Sequence, residues 1–205
     1  MIESTVDGRG LCILRLNRPD KANALTPAMI EQLIAAVHAA AEARALILTG
    51  VGKVFSAGAD LDAARSGLAT SPLWEELSGA LAALPCLKIA ALNGTLAGGA
   101  NGMALACDFR IAVPTAKIFY PVMQLGYLPQ PSDAVRMRAL IGPARTKLVL
   151  AAGQKLSAQE AFDFGLIDRI VAPEELMAVA TDLAEPTLGA DPEVARAILK
   201  ACDAG

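Results

Sequence analysis

Histidine is almost missing from this chain. The single one, His38, stands mid-helix among alanines with Glu42 one turn on. A Ser-His-Asp triad or a histidine-rich metal site therefore has no support, and no metal is expected. The nucleotide and hydrolase signatures GxGxxG, GxxxxGK[ST] and GxSxG are absent. No basic block occurs and the formal net charge is −3, which gives nucleic-acid binding no support. The four cysteines, Cys12, Cys86, Cys107 and Cys202, form no CxxC pair, so they read as reduced thiols of a reducing compartment, and a cytoplasmic location is expected. The start, MIESTVDGRG, carries acids and turn residues rather than the pattern of a signal or transit peptide. Aromatic residues make up only 4% against 54% hydrophobic residues, a globular composition rich in alanine.

The longest absence is of charge. From Ile89 to Cys107 there is no Asp, Glu, Lys, Arg or His. The run is close to the roughly 20 residues of a membrane span. Gly94, Gly98 and Gly102 even repeat at a helix-pairing interval. Its glycines, two asparagines and a threonine leave it short of the leucine and phenylalanine density of a span, so no membrane partner is expected. Two readings remain. Glycine permits close packing. Glycines just before a helix also leave backbone N–H groups unpaired, where they can hold an oxygen that becomes an anion.

The pattern around this run predicts an α/β layered fold with a helical tail. Ile2–Val6 and Leu11–Leu16 read as a hairpin about Asp7–Gly10. Thr26-Pro27 opens a helix with Met29, Ile30, Leu33, Ile34 and Val37 on one face, and Ser71-Pro72 opens another with Leu73, Trp74, Leu77 and Leu81. Ala45–Thr49, Lys88–Leu92 and Phe109–Val113 read as buried strands, and Gly50–Gly58 as a loop. Past Ser132 the expected helices are Asp133–Leu140, Ala144–Ala151, Ser157–Phe164, Glu174–Leu183 and Pro192–Cys202, with one strand at Asp168–Val171. The loop Phe55-Ser56-Ala57-Gly58-Ala59-Asp60-Leu61 follows a strand and is as small and glycine-bearing as the first, so the two together could supply two N–H donors to one oxygen.

Four stretches in order, LNRPDKANAL, LILTGVGKVFSAGADL, IAALNGTLAGGANGMALACDFRIA and LSAQEAFDFGLIDRIV, resemble the enoyl-CoA hydratase/isomerase (crotonase) superfamily from about Leu14 to Val171. The resemblance implies a crotonase (ClpP-like) spiral of ββα units. It implies a core of residues 1–185 with a shortened helical segment, 186–205. The ligand would be an acyl-CoA thioester, with CoA part of the substrate and no separate cofactor. The two oxyanion donors would be the backbone amides of Ala59 and Gly99. Ala22, Ala24, Ala57, Asp60, Leu61, Gly98 and Val122 would line the substrate path, with Arg18, Lys21 and Lys53 as nearby cations. Such proteins usually assemble as homotrimers or hexamers, an expectation that the short C-terminal segment weakens.

The sequence departs from that pattern where the hydratases carry two glutamates. Those positions are Gly102 and Val122 here. General acid–base groups contribute about 10²–10⁴-fold each, so efficient syn-hydration is not expected. An enolate reaction such as isomerisation or decarboxylation, or acyl-CoA binding without catalysis, fits better. Asp133 is the candidate substitute acid or base, against the alternative of a first-turn helix acid. Tyr120, Tyr127, Gln124 and Asn101 could orient water or a carboxylate. Cys107 reads as an apolar helix end and Asp108 as a buried cap or turn residue.

Overall fold

The computed structural model describes residues 1–203. In chain order the elements are β1 (Ile2–Val6), β2 (Leu11–Leu16), α1 (Pro27–Ala39), β3 (Ala45–Gly50), β4 (Val54–Ser56), α2 (Leu61–Arg65), α3 (Leu73–Ala83), β5 (Leu87–Leu92), β6 (Thr95–Ala97) and α4 (Asn101–Leu105). They continue with β7 (Phe109–Ala112), β8 (Lys117–Phe119), α5 (Val122–Leu125), α6 (Pro131–Leu150), β9 (Leu156–Ser157), α7 (Ala158–Phe164), β10 (Arg169–Ile170), α8 (Leu176–Gly189) and α9 (Pro192–Asp203).

Two sheets organise these elements. The larger runs β1-β2-β3-β5-β7-β10 and the smaller β4-β6-β8-β9. The β1–β2 hairpin is antiparallel, and the strands from β2 to β10 run parallel. The units β3-β4-α, β5-β6-α and β7-β8-α repeat: each gives one strand to the large sheet, one to the small sheet, and then a helix. This is the ββα spiral that the resemblance implies.

Burial explains the strand pattern. Every residue of β5 and all but the last of β3 are buried, as expected for central parallel strands covered on both faces. Helix α1 packs Met29, Ile30, Leu33, Ile34 and Val37 inward, and its Thr26 cap accepts from the Met29 N–H. Arg110 of β7 is buried among carbonyls, donating to Leu166 O (2.9 Å), Cys107 O (2.6 Å) and Asp108 O (3.2 Å).

Several elements differ from the sequence expectation. Gly50–Gly58 is not all loop, because it contains β4; β6, β8 and β9 are likewise unforeseen. These strands have two or three residues, too few for an alternating pattern to register. Helix α6 breaks at Gly142 (φ 75°) before Pro143, as expected from two separate helices, and α8 runs past Pro186 to Gly189. Asp108 is not fully buried: its side chain is 26% exposed, and it accepts from the Lys88 N–H (2.7 Å) and pairs with Lys88 Nζ (3.3 Å).

Candidate active site

Strands β4 and β6 pair in parallel, with Ser56 opposite Leu96. Their carboxyl ends therefore lie side by side, and the loops that leave them must meet. Gly58 has φ 89° and Gly98 φ 57°, both in the left-handed region that favours glycine. Contact is tight. A methyl at Gly58 would fall 2.8 Å from Ala97 O and 3.4 Å from Gly98 Cα. The glycines thus serve packing and also bring two backbones together.

The first loop is fixed from both sides of Ala59. Leu25 N–H donates to Gly58 O (2.7 Å), and Asp60 N–H donates to Leu25 O (2.8 Å). The Ala59 N–H between them has no protein acceptor among the described residues, and neither has the Gly99 N–H. Ser56 Oγ donates to Asn23 O (2.8 Å) and accepts from the Gly58 N–H (3.1 Å). Asn23 is fully buried and donates to Val51 O (3.0 Å) and Val54 O (2.7 Å). Sequence reading passed over Asn23. Nothing in the LNRPDKANAL stretch sets Asn23 apart from its other polar residues; its burial does.

A cavity of about 170 Å³ opens in front of these amides. Ala57, Ala59, Leu61, Gly98, Gly99 and Val122 of the expected set line it, together with Trp74, Tyr120, Tyr127 and Gln130. Trp74 lies so close on Gly99 that a methyl there would be 2.8 Å from the ring, and its Nε1 is fixed on Leu68 O (2.9 Å). An outer cleft shares Ala57, Ala59 and Leu61 and adds Lys21, Ala24, Asp60 and Arg65. Ala22 borders neither cavity, but its carbonyl accepts from the Ala57 N–H (3.0 Å) and so braces the loop.

The cations divide. Lys21 and Arg65 line the outer cleft, whereas Arg18 is engaged with Ala24 O (3.0 Å) and Asp60 Oδ2 (2.8 Å). That pairing holds the Asp60 carboxyl below its ordinary range, helped by the Ala63 N–H, and Asp60 caps α2. Lys53 borders neither cavity.

Asp133 is fully buried and does not line the cavity. It accepts from Tyr120 Oη at 2.9 Å through Oδ2, while Oδ1 has no hydrogen-bond partner among the described residues. Its carboxyl lies directly on Gly102, where a Cβ would be 2.7 Å from Oδ1. Burial pushes this carboxyl up to about 6 from 3.8. Burial, with Asp133 beside it, also pushes the Tyr120 phenol upward.

The other candidates separate from the site. Asn101 is buried and spends its amide on Gly98 O (2.8 Å) and Phe119 O (3.0 Å), so it holds the glycine turn to β8. Gln124 is exposed. Burial pushes the Cys107 thiol up to about 12, which removes it as a nucleophile. His38 is exposed. Among the described residues no helix is long and apolar enough to cross a membrane, and no group of three or more metal-ligating side chains is found.

This arrangement has relatives. Residues 7–205 match the model of the family described as enoyl-CoA hydratase/isomerase. YngF from Bacillus subtilis (strain 168) is 37% identical over 190 residues, covering 88% of this chain and 73% of that protein. An ethylmalonyl-CoA decarboxylase from Pongo abelii is 28% identical over 216 residues, covering all of this chain and 72% of its own. A crystal structure of an enoyl-CoA hydratase from Bacillus anthracis superimposes with a TM-score of 0.92 at 31% identity, covering 99% of this chain and 82% of the other. With a family model spanning nearly its whole length and a relative this similar, the chain belongs to the enoyl-CoA hydratase/isomerase family, the crotonase superfamily.

Proposed function

We propose that this chain binds an acyl-CoA thioester and stabilises its enolate with the N–H groups of Ala59 and Gly99. One observation carries the reading: two amides that find no protein acceptor among the described residues stand on abutting loops at the end of an apolar cavity. A thioester oxygen placed between them would gain two hydrogen bonds as charge develops on it, each worth about 3–4 kcal/mol in the transition state. The acyl group would occupy the cavity beside Trp74 and Val122. The CoA portion would follow the outer cleft past Ala24, Asp60 and Leu61 toward Lys21. CoA arrives as part of the substrate, so the reading needs no separate cofactor. A cytoplasmic homotrimer or hexamer belongs to the same reading.

Position 102 is glycine and position 122 valine, so efficient syn-hydration is not part of the proposal. Reactions that pass through an enolate and need one proton fit better. Loss of CO2 from a malonyl-type thioester is one, and shift of a double bond is another. The decarboxylase from Pongo abelii makes the first class a necessary member of any substrate panel.

The test is a titration of purified protein with crotonyl-CoA, saturated and branched acyl-CoAs and malonyl-type CoAs. Binding is read by calorimetry and product by mass spectrometry in the same samples. Binding with turnover of one class supports the reading. Binding across the panel with no product would leave a non-catalytic acyl-CoA binder. Absence of binding would overturn the assignment of ligand.

A further inference from the structure

The cavity lacks both family glutamates, yet a buried carboxyl lies against the backbone position of one of them. Asp133 enters from α6 and places Oδ1 where a side chain at residue 102 would begin. It is in the first turn of its helix, but its carboxyl oxygens accept no backbone N–H among the described residues. A helix-capping acid would do so, and would normally be exposed. Asp133 instead has no exposed surface and one partner, the Tyr120 hydroxyl. A buried carboxyl with an unpartnered oxygen is costly to keep. Tyr120 in turn lines the same cavity as Ala59 and Gly99.

We propose that Tyr120 and Asp133 form a proton couple that serves the enolate, with Tyr120 the group that meets the acyl chain and Asp133 its positioning partner. The inference rests on the acyl-CoA reading above. In the protonating direction, the enolate electrons form a new Cα–H bond with the Tyr120 proton. The phenol oxygen simultaneously takes the proton of the Asp133 carboxylic acid. The ligand gains one proton, Asp133 becomes a carboxylate and Tyr120 is unchanged. In the reverse direction the Cα proton passes to Tyr120 while the phenol proton passes to the Asp133 carboxylate. No other reactant is required.

The groups facing Asp133 fit such a role. Glu75 of α3 raises its affinity for a proton, whereas the Tyr120 hydrogen bond and Arg136 of α6 lower it. Glu75 accepts from Ser132 Oγ (2.9 Å) and Arg136 donates to the same Ser132 oxygen (2.9 Å), so neither spends a hydrogen bond on Asp133. Helix α4, packed on the other side, carries no titratable group.

The experiment uses butyryl-CoA in D2O, with deuterium entry at Cα read by mass spectrometry and binding read by calorimetry. The intact protein should bind butyryl-CoA and exchange its α-protons. The exchange rate should rise with pH through the Asp133 titration and then level. Tyr120→Phe and Asp133→Asn should each slow exchange by about 100-fold or more while leaving affinity within about threefold. The low-pH limb of the profile should vanish in Asp133→Asn. Tyr120→Phe keeps the ring, so it remains informative if the aspartate variant folds poorly. No binding overturns the acyl-CoA reading itself. Binding without exchange by the intact protein, exchange unaltered in Tyr120→Phe, or an unaltered pH limb in Asp133→Asn would each overturn the couple.

Discussion

The cavity has two walls built on different principles. On one, the loops after β4 and β6 offer backbone N–H groups, and their geometry is set by Gly58 and Gly98 in a left-handed conformation. On the other, Tyr120 lines the cavity with its side chain, and the acid behind it, Asp133, belongs to a helix that starts past residue 130. A backbone donor can be presented only by the loop that carries it, so its chemistry is tied to a local motif. An acid can be delivered by any element that reaches the spot. The first wall carries the two glycine-bearing loops on which the family resemblance rests. The second has glycine and valine where the resemblance implies glutamates, and a carboxyl, that of Asp133, against the backbone of Gly102.

The sharpest way to break this comparison is at the backbone wall. Gly99→Pro removes the N–H outright and sets a ring against Trp74. Turnover of whichever acyl-CoA proves active should fall about 10²–10³-fold, the loss of one oxyanion donor. Far-ultraviolet circular dichroism on the same sample separates this from misfolding. Near-normal turnover in a folded Gly99→Pro protein would mean that this amide is not the donor.

The second test weighs the carboxyl wall through pH. The Asp133 carboxyl is raised from 3.8 to about 6. The folded state therefore holds this proton more tightly than the unfolded chain does. The resulting stability is fully present below pH 3.8 and is lost as pH rises through about 6. The gap corresponds to about 3 kcal/mol. Asp133→Asn keeps an oxygen for Tyr120 and cannot ionise. In urea titrations, the variant should gain on the wild type by up to about 3 kcal/mol between pH 4 and pH 7.5. A gain of this sign would show that Asp133 costs stability at neutral pH, as expected of a residue retained for chemistry. If the wild type gained instead, the carboxylate would be stabilised in the fold, contrary to its burial.

The contrast between the walls also explains what was legible in sequence. Strands β2, β3 and β5 and helix α1 could be read because their apolar residues recur over six residues or more. Ala59 and Gly99 could be named because glycine punctuation survives in one dimension. The small sheet could not, since β4, β6 and β8 have three residues each. Asp133 stood out as an acid, but its link to Tyr120 spans 13 residues through a bend and its contact with Gly102 spans 31, and no spacing rule connects them. Asn101 suggested chemistry from its type alone, and burial assigns it to holding a turn.

The smallest effect bears most directly on whether the two positions share one space. Alanine in place of a helical glycine normally stabilises by about 0.5–1 kcal/mol, because it restricts the unfolded chain. Gly102 lies in α4 without a positive φ, so nothing in its backbone opposes alanine. What opposes it is Asp133 Oδ1, which would sit 2.7 Å from the new methyl. Gly102→Ala should therefore cost about 1–3 kcal/mol in the wild type, the usual range for overpacking. Made in an Asp133→Ala background, the same substitution should become neutral or stabilising. The sign change is independent of whatever Asp133→Ala costs by itself, because a double-mutant cycle cancels that term. Chemical denaturation of the four proteins at pH 7 measures it. Additivity within about 0.5 kcal/mol would mean that the two positions do not compete for space. A coupling larger than that, with the sign reversed, would mean that a glycine at 102 is what admits the carboxyl of Asp133.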